Sequence, residues 1–142
     1  MLSALAGRTR RAVLARYGGF CGYSPTGPDE WAIGIARATF ASFMSRGEAA
    51  VRWLTAPDDR FYADPFVLVR GSTGYLFFEE YLRREKRGRI VVVETSDFER
   101  FTAPRVVLEQ PFHLSYPCVF AHEERYYCVP EQHQSGEVAL YE

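Results

Sequence analysis

The sequence predicts an all-β chain that begins a β-propeller, and three observations carry that expectation. Aromatic residues make up 15% of the 142, with 11 Phe and 9 Tyr gathered in short runs. Such side chains suit a pleated, half-buried surface. The apolar runs are short and bounded by Gly, Pro and charge, which is a strand signal rather than a helix signal. Above all, the chain repeats itself at a shift of 52 residues. Pro65, Val67, Tyr75 and Glu79 recur as Pro117, Val119, Tyr127 and Glu131, and Leu68 and Phe77 correspond to Phe120 and Val129.

The elements follow in order. Residues 1–25 form a basic extension in which Arg8, Arg10, Arg11 and Arg16 occur with no acid among the first 16 residues. Its apolar stretches are too short for a secretory core. The propeller segment is expected over residues 26–142. It opens with a lone strand at 31–35 that has no local partner of its own. Residues 37–54 are ambiguous: the spacing around Phe40 and Phe43 permits a short helix that Gly47 breaks, and 51–54 reads as extended. Pro57-Asp58-Asp59 is a turn.

The first blade is expected over residues 61–110. Its strands fall at 66–69, 75–78, 90–93 and 106–109, with a turn at 71–74 and a charged loop at 83–87. Four antiparallel strands in about fifty residues is the propeller-blade unit. The second blade, 111–142, repeats the pattern with strands at 118–121, 126–129 and 138–141 and a turn at Ser135-Gly136. It is incomplete. Two blades leave a flank open at each end, whereas propellers have four or more. The ring is therefore expected to need further blades or another chain to close.

Composition narrows the function classes. A net charge of −1 argues against a general nucleic-acid binder. No apolar run reaches the 18 residues of a membrane-spanning helix. Cys21, Cys118 and Cys128 are odd in number and lack metal spacing, so they read as buried thiols in a reducing, cytoplasmic setting. No cofactor or metal is expected, because nothing matches a phosphate-cradling loop, a nucleophile elbow or a metal-ligand spacing.

The candidate chemistry lies where the first strand of each repeat begins. Asp64 precedes Pro65, which removes a backbone donor and biases its neighbour toward extended geometry. Its carboxylate is either a general base or an acceptor for backbone N–H groups. The equivalent residue of the second repeat is Tyr116, so the repeat does not supply the second acid of a glycosidic pair, ~5–9.5 Å away. Glu79, Glu80 and Glu131 are the other carboxylates at strand ends. Glu79 and Glu131 recur at the repeat spacing, which fits a repeated structural bond as well as substrate contact. His113 is a candidate for a sugar hydroxyl or a phosphate, or for a backbone partner, and Tyr116 for stacking on a sugar face. The run from Arg83 to Arg89 reads as a solvated hairpin tip.

The runs Phe61-Tyr62-Ala63-Asp64-Pro65-Phe66, Tyr75-Leu76-Phe77-Phe78-Glu79-Glu80, His113-Leu114-Ser115-Tyr116-Pro117, Pro130-Glu131 and Gly136-Glu137-Val138-Ala139-Leu140-Tyr141 form an ordered series. In that order they resemble the N-terminal domain of the plant glucosamine inositolphosphorylceramide transferases and their bacterial relatives. That domain is similar to the five-bladed propeller of the arabinanase and β-xylosidase glycoside hydrolases. The resemblance covers residues 31–142. It implies a five-bladed propeller, a carbohydrate or glycoconjugate partner, and Asp64 at the position of the hydrolases' general base. Their other two acids lie in later blades, and the transferases' sugar transfer belongs to a separate domain. The expectation is a carbohydrate-active module, glycosyltransferase-associated or glycosidase-like, that is inactive alone. The alternative is a non-catalytic glycan-binding or scaffolding propeller.

Overall fold

A computed structural model describes residues 31–36, 45 and 51–142. The basic extension, Cys21 and the helix around Phe40 and Phe43 lie outside the described residues. Apart from Ser45, which is helical, the described part consists of antiparallel sheets and one turn of 3-10 helix. The chain divides into two units, Met1–Thr55 and Ala56–Glu142.

In the first unit, β1 (Ile33–Ala36) pairs antiparallel with β2 (Val51–Leu54). This corrects the expectation of a strand without a local partner. Gly34 lies opposite Trp53, where a Cβ would come within 3.1 Å of the indole. The missing side chain is what lets the ring cover the strand.

The second unit opens with a four-stranded meander of β3 (Arg60–Arg70), β4 (Thr73–Leu82), β5 (Arg87–Thr95) and β6 (Arg105–Leu108), paired in chain order. The four expected strands are present, and the first three extend well beyond their apolar centres. Backbone pairing carries the strands out into flanking polar residues that have no periodic signal. Along β4, Leu76, Phe78, Glu80 and Leu82 are buried on one face, and Glu79 is buried on the other. In β5, Ile90, Val91, Val92 and Val93 are at most 2% exposed. Both faces of this central strand are covered, as its unbroken aliphatic run requires.

The second repeat begins with β7 (Ser115–His122) and β8 (Arg125–Glu131). Its pairings reproduce those of β3 and β4 at the 52-residue shift. Ala63↔Glu79, Phe66↔Phe77 and Leu68↔Tyr75 become Ser115↔Glu131, Cys118↔Val129 and Phe120↔Tyr127. The register slips at the same place in both hairpins. Asp64-Pro65 and Tyr116-Pro117 each put two residues opposite one, a β-bulge that takes up the missing proline donor.

The third strand expected at 138–141 is a correction. Only Tyr141 pairs, in a bridge with Cys128. The preceding residues instead form a 3-10 turn, His133–Ser135, ended by Gly136 at φ 71. Buried Gln132 holds this turn, donating to Ser135 Oγ and the Glu137 carbonyl and accepting from the Tyr141 hydroxyl. Those bonds hold the chain in a turn up to Glu137, so that it rejoins β8 only at Tyr141. The cysteines also differ from expectation. Cys118 is exposed and Cys128 half-buried, both as free thiols, because β7 and β8 are covered less completely than β4 and β5.

Candidate functional site

The two bulges build the site. Asp64 and Tyr116 both adopt left-handed backbone conformations, at φ 51 and φ 47. Aspartate tolerates that region, but a bulky tyrosine is strained there by ~1–2 kcal/mol. Strain at matching positions in two repeats re-aims both side chains away from the regular strand alternation. Tyr116 stands 56% exposed, with its ring edge-on to Phe66 at 4.9 Å between centroids. Its backbone N–H donates to Asp64 Oδ2 at 3.3 Å, linking the two sheets.

Glu79 lies opposite Ala63 in β4, beside the first bulge, and is 5% exposed. Its carboxyl is hydrogen-bonded to Asp64. Burial, then the charge and hydrogen bond of Asp64, then the charge of Glu131 push its pKa up to about 8. At neutral pH Glu79 therefore holds a proton and donates it to Asp64. Gly88 seals this carboxyl from the far side. A Cβ at Gly88 would run into Glu79 Oε1 and the Leu114 carbonyl oxygen.

His113 is fixed from three directions. Its Nδ1 accepts the Gly88 N–H at 2.8 Å, its backbone N–H donates to Gln134 Oε1 at 3.0 Å, and Tyr81 stands edge-on to its ring. The Leu114 N–H then donates to the Gly88 carbonyl at 3.0 Å, so residues 113 and 114 are clamped onto the start of β5. An Nδ1 that accepts carries no proton, so the imidazole is the neutral Nε2–H tautomer. Burial, followed by the charge of His133, holds its pKa below the ordinary histidine value. Its Nε2 is 3.7 Å from Glu79 Oε1. Because both groups are neutral, this contact is not an ion pair.

The structure thus brings Asp64, Glu79, His113 and Tyr116 together. Glu131 repeats Glu79 in register but is exposed, and it acts on the cluster through its charge. Glu80 belongs elsewhere. On the opposite face of β4 it accepts from Arg60 at 3.0 Å and from Arg89 at 2.7 Å, a buried structural network. Among the described residues, no group of three or more His, Cys, Asp or Glu could hold a metal ion. No described helix is long and apolar enough to cross a membrane. Gly88, Gln134 and Tyr81 were not foreseen as parts of the site. Of these, Gly88 alone carries a sequence signal, a glycine between a charged loop and an aliphatic strand.

The second unit is thus an antiparallel all-β unit with a carboxyl pair, an imidazole and an exposed aromatic ring at its strand starts. Residues 49–142 match the family model described as glucosamine inositolphosphorylceramide transferase 1, N-terminal, and the chain belongs to that family. It is 32% identical over 112 residues to glucosamine inositolphosphorylceramide transferase 1 of Arabidopsis thaliana, covering 78% of this chain and 14% of that protein. It is 38% identical over 82 residues to the protein of the same name from Oryza sativa subsp. indica, covering 57% of this chain and 11% of that protein. The chain thus spans a small fraction of the length of these relatives. No solved structure matches it.

Proposed function

We propose that this chain is a carbohydrate-recognising β-propeller module that serves glycoconjugate assembly, with its sugar site where β3 and β7 begin. The propeller reading is supported by two hairpins that share register, bulge and positive φ at a fixed 52-residue shift. The family supports the glycoconjugate setting, since the relatives carry the name glucosamine inositolphosphorylceramide transferase 1. The observation that carries the site is the meeting of Asp64 with the Tyr116 amide beside an exposed tyrosine ring. A flat ring for a sugar face and a few fixed polar groups for its hydroxyls are what such a pocket requires.

Between binding and glycosidase-like catalysis, the hydrogen bonding favours binding. Asp64 already accepts the Tyr116 N–H and is hydrogen-bonded to Glu79, so its oxygens are engaged within the chain. Glu79, the acid beside it, is too buried to reach a glycosidic oxygen. The test is calorimetric titration of the chain with a panel of methyl glycosides, alongside Asp64→Asn and Tyr116→Ala. Measurable binding that weakens at least tenfold in each variant is expected. A wild-type chain that binds none of the panel, or variants that bind as it does, overturns the proposal. Release of sugar from aryl glycosides that depends on Asp64 would restore the catalytic alternative.

A further inference from the structure

Glu79 is buried on the face of β4 that packs against β7, in contact with groups from every surrounding element. Asp64 meets it from β3, Gly88 from β5 and His113 from the segment before β7. Glu131, at the end of β8, adds a negative charge nearby, and His133 of the 3-10 turn acts on His113. Arg60 and Arg89, the cations nearest in sequence register, are engaged by Glu80 on the opposite face. Among the described residues, no arginine or lysine therefore pairs with Glu79. His113 cannot become a cation without giving up the Gly88 N–H bond to its Nδ1.

We propose that Glu79 is the positioning residue of the sugar site, a neutral carboxyl whose proton ties Asp64 to the Tyr116 amide and so holds the starts of the two sheets together. This rests on the binding role proposed above for what Asp64 does, but the latch itself involves only the chain's own atoms. Its proton leaves one carboxylate where two would otherwise repel. The site consequently presents a single fixed carboxylate acceptor, Asp64, beside a neutral acid. That arrangement suits a hydroxyl of an uncharged sugar and disfavours a uronate or a phosphate. Loss of the Glu79 proton sets two carboxylates against each other in a confined space with no counter-charge. Asp64 can relieve this only by swinging away from Glu79, and with it from the Tyr116 amide.

The test is hydrogen exchange at the Tyr116 amide in the full 142-residue chain, followed by NMR and corrected for the intrinsic rate at each pH. Wild-type protection should fall at least tenfold between pH 6.5 and 9. Glu79→Gln keeps a donor toward Asp64 without a titrating proton, so its protection should stay level over that range. Asp64→Asn should also be level, because an amide does not repel an ionised Glu79, and it serves if the glutamine variant fails to fold. Equal wild-type protection at both pH values, or a fall that persists in either variant, overturns the latch. The sugar-binding role is read separately, by titrating methyl β-glucoside and methyl β-glucuronide at pH 6.5. If neither binds while the exchange switch is present, the binding role fails and the latch stands.

Discussion

Two carboxyl groups in one hydrogen bond make the stability of this chain depend on pH in a direction opposite to that of most acidic residues. Burial raises the pKa of Glu79 from 4.5 to about 8. The folded state therefore holds a proton that the unfolded state releases, and the stabilisation present at low pH is lost as pH rises through 8. His113 works from the other side. Its pKa is lowered by burial, so the unfolded state gains a proton first, and stability falls as pH drops below the ordinary histidine range. Between roughly pH 6.5 and 8 the Glu79 effect stands alone, with a limiting slope of about 1.4 kcal/mol per pH unit. Urea denaturation over that window should show the midpoint falling with pH in the wild type and staying nearly flat in Glu79→Gln. A wild-type midpoint that stays flat over the window would show that Glu79 is already ionised in the fold. Asp64, Glu79, His113 and Tyr116 were legible as candidates because Asp-Pro and the repeat spacing mark where strands begin. Their roles were not legible. A glutamate at a repeat position reads the same whether it is buried, as Glu79 is, or exposed, as Glu131 is, and only the packing of β7 onto β4 separates the two.

At the level of elements, the repeat carried the most information. Four identities and two apolar matches sufficed to place two hairpins whose registers agree pair by pair. Local pattern failed where pairing is decided by distant or competing groups. The partner of β1 is an ambiguous four-residue run beyond a long connection, and after the turn held by Gln132 the stretch at 138–141 pairs only at Tyr141. The junction that neither periodicity nor composition marks is the start of β5. There Gly88 lies against both Glu79 and the Leu114 carbonyl, and its two backbone groups engage residues 113 and 114. A methyl group added at Gly88 has no free space, and one of the two obstacles is backbone. Gly88→Ala should destabilise the second unit by ~1–3 kcal/mol, the usual cost of overpacking. It should also lift His113 off the Gly88 amide, visible as a change in the imidazole nitrogen shifts. A variant as stable as wild type with an unchanged His113 tautomer would show that β7 can move away at no cost.

For the whole molecule, the question is what the open sheet edges do. Among the described residues, β6 pairs only with β5, and β8 pairs beyond β7 only through the Tyr141 bridge. Apolar side chains lie beside these edges. Val106 and Val107 of β6 are about 40% exposed, Leu140 is 59% exposed and Val138 is 88% exposed. On the sheet face away from β7, Val67 and Val69 are also exposed, in register with the buried residues of β4. Between the two sheets, an apolar groove of about 250 Å³ is lined by Leu68, Phe77, Val119, Phe120, Tyr127 and Tyr141, among others. Native proteins protect such edges with charge, proline or a covering element, and among the described residues no strand pairs with the outer side of β6. Intermolecular strand pairing satisfies the free backbone groups and buries the valines together, so the two gains reinforce each other. Sedimentation velocity of the 142-residue chain over ~10–100 µM, a range in which exposed strand edges already drive association, should show species that grow with concentration. Val106→Lys combined with Val138→Lys puts a charge at each edge without touching the core, and it should shift the distribution toward monomer while leaving the circular-dichroism spectrum unchanged. A single compact monomer at every concentration, unfolding in one sharp transition, would mean that the edges are already satisfied within one chain.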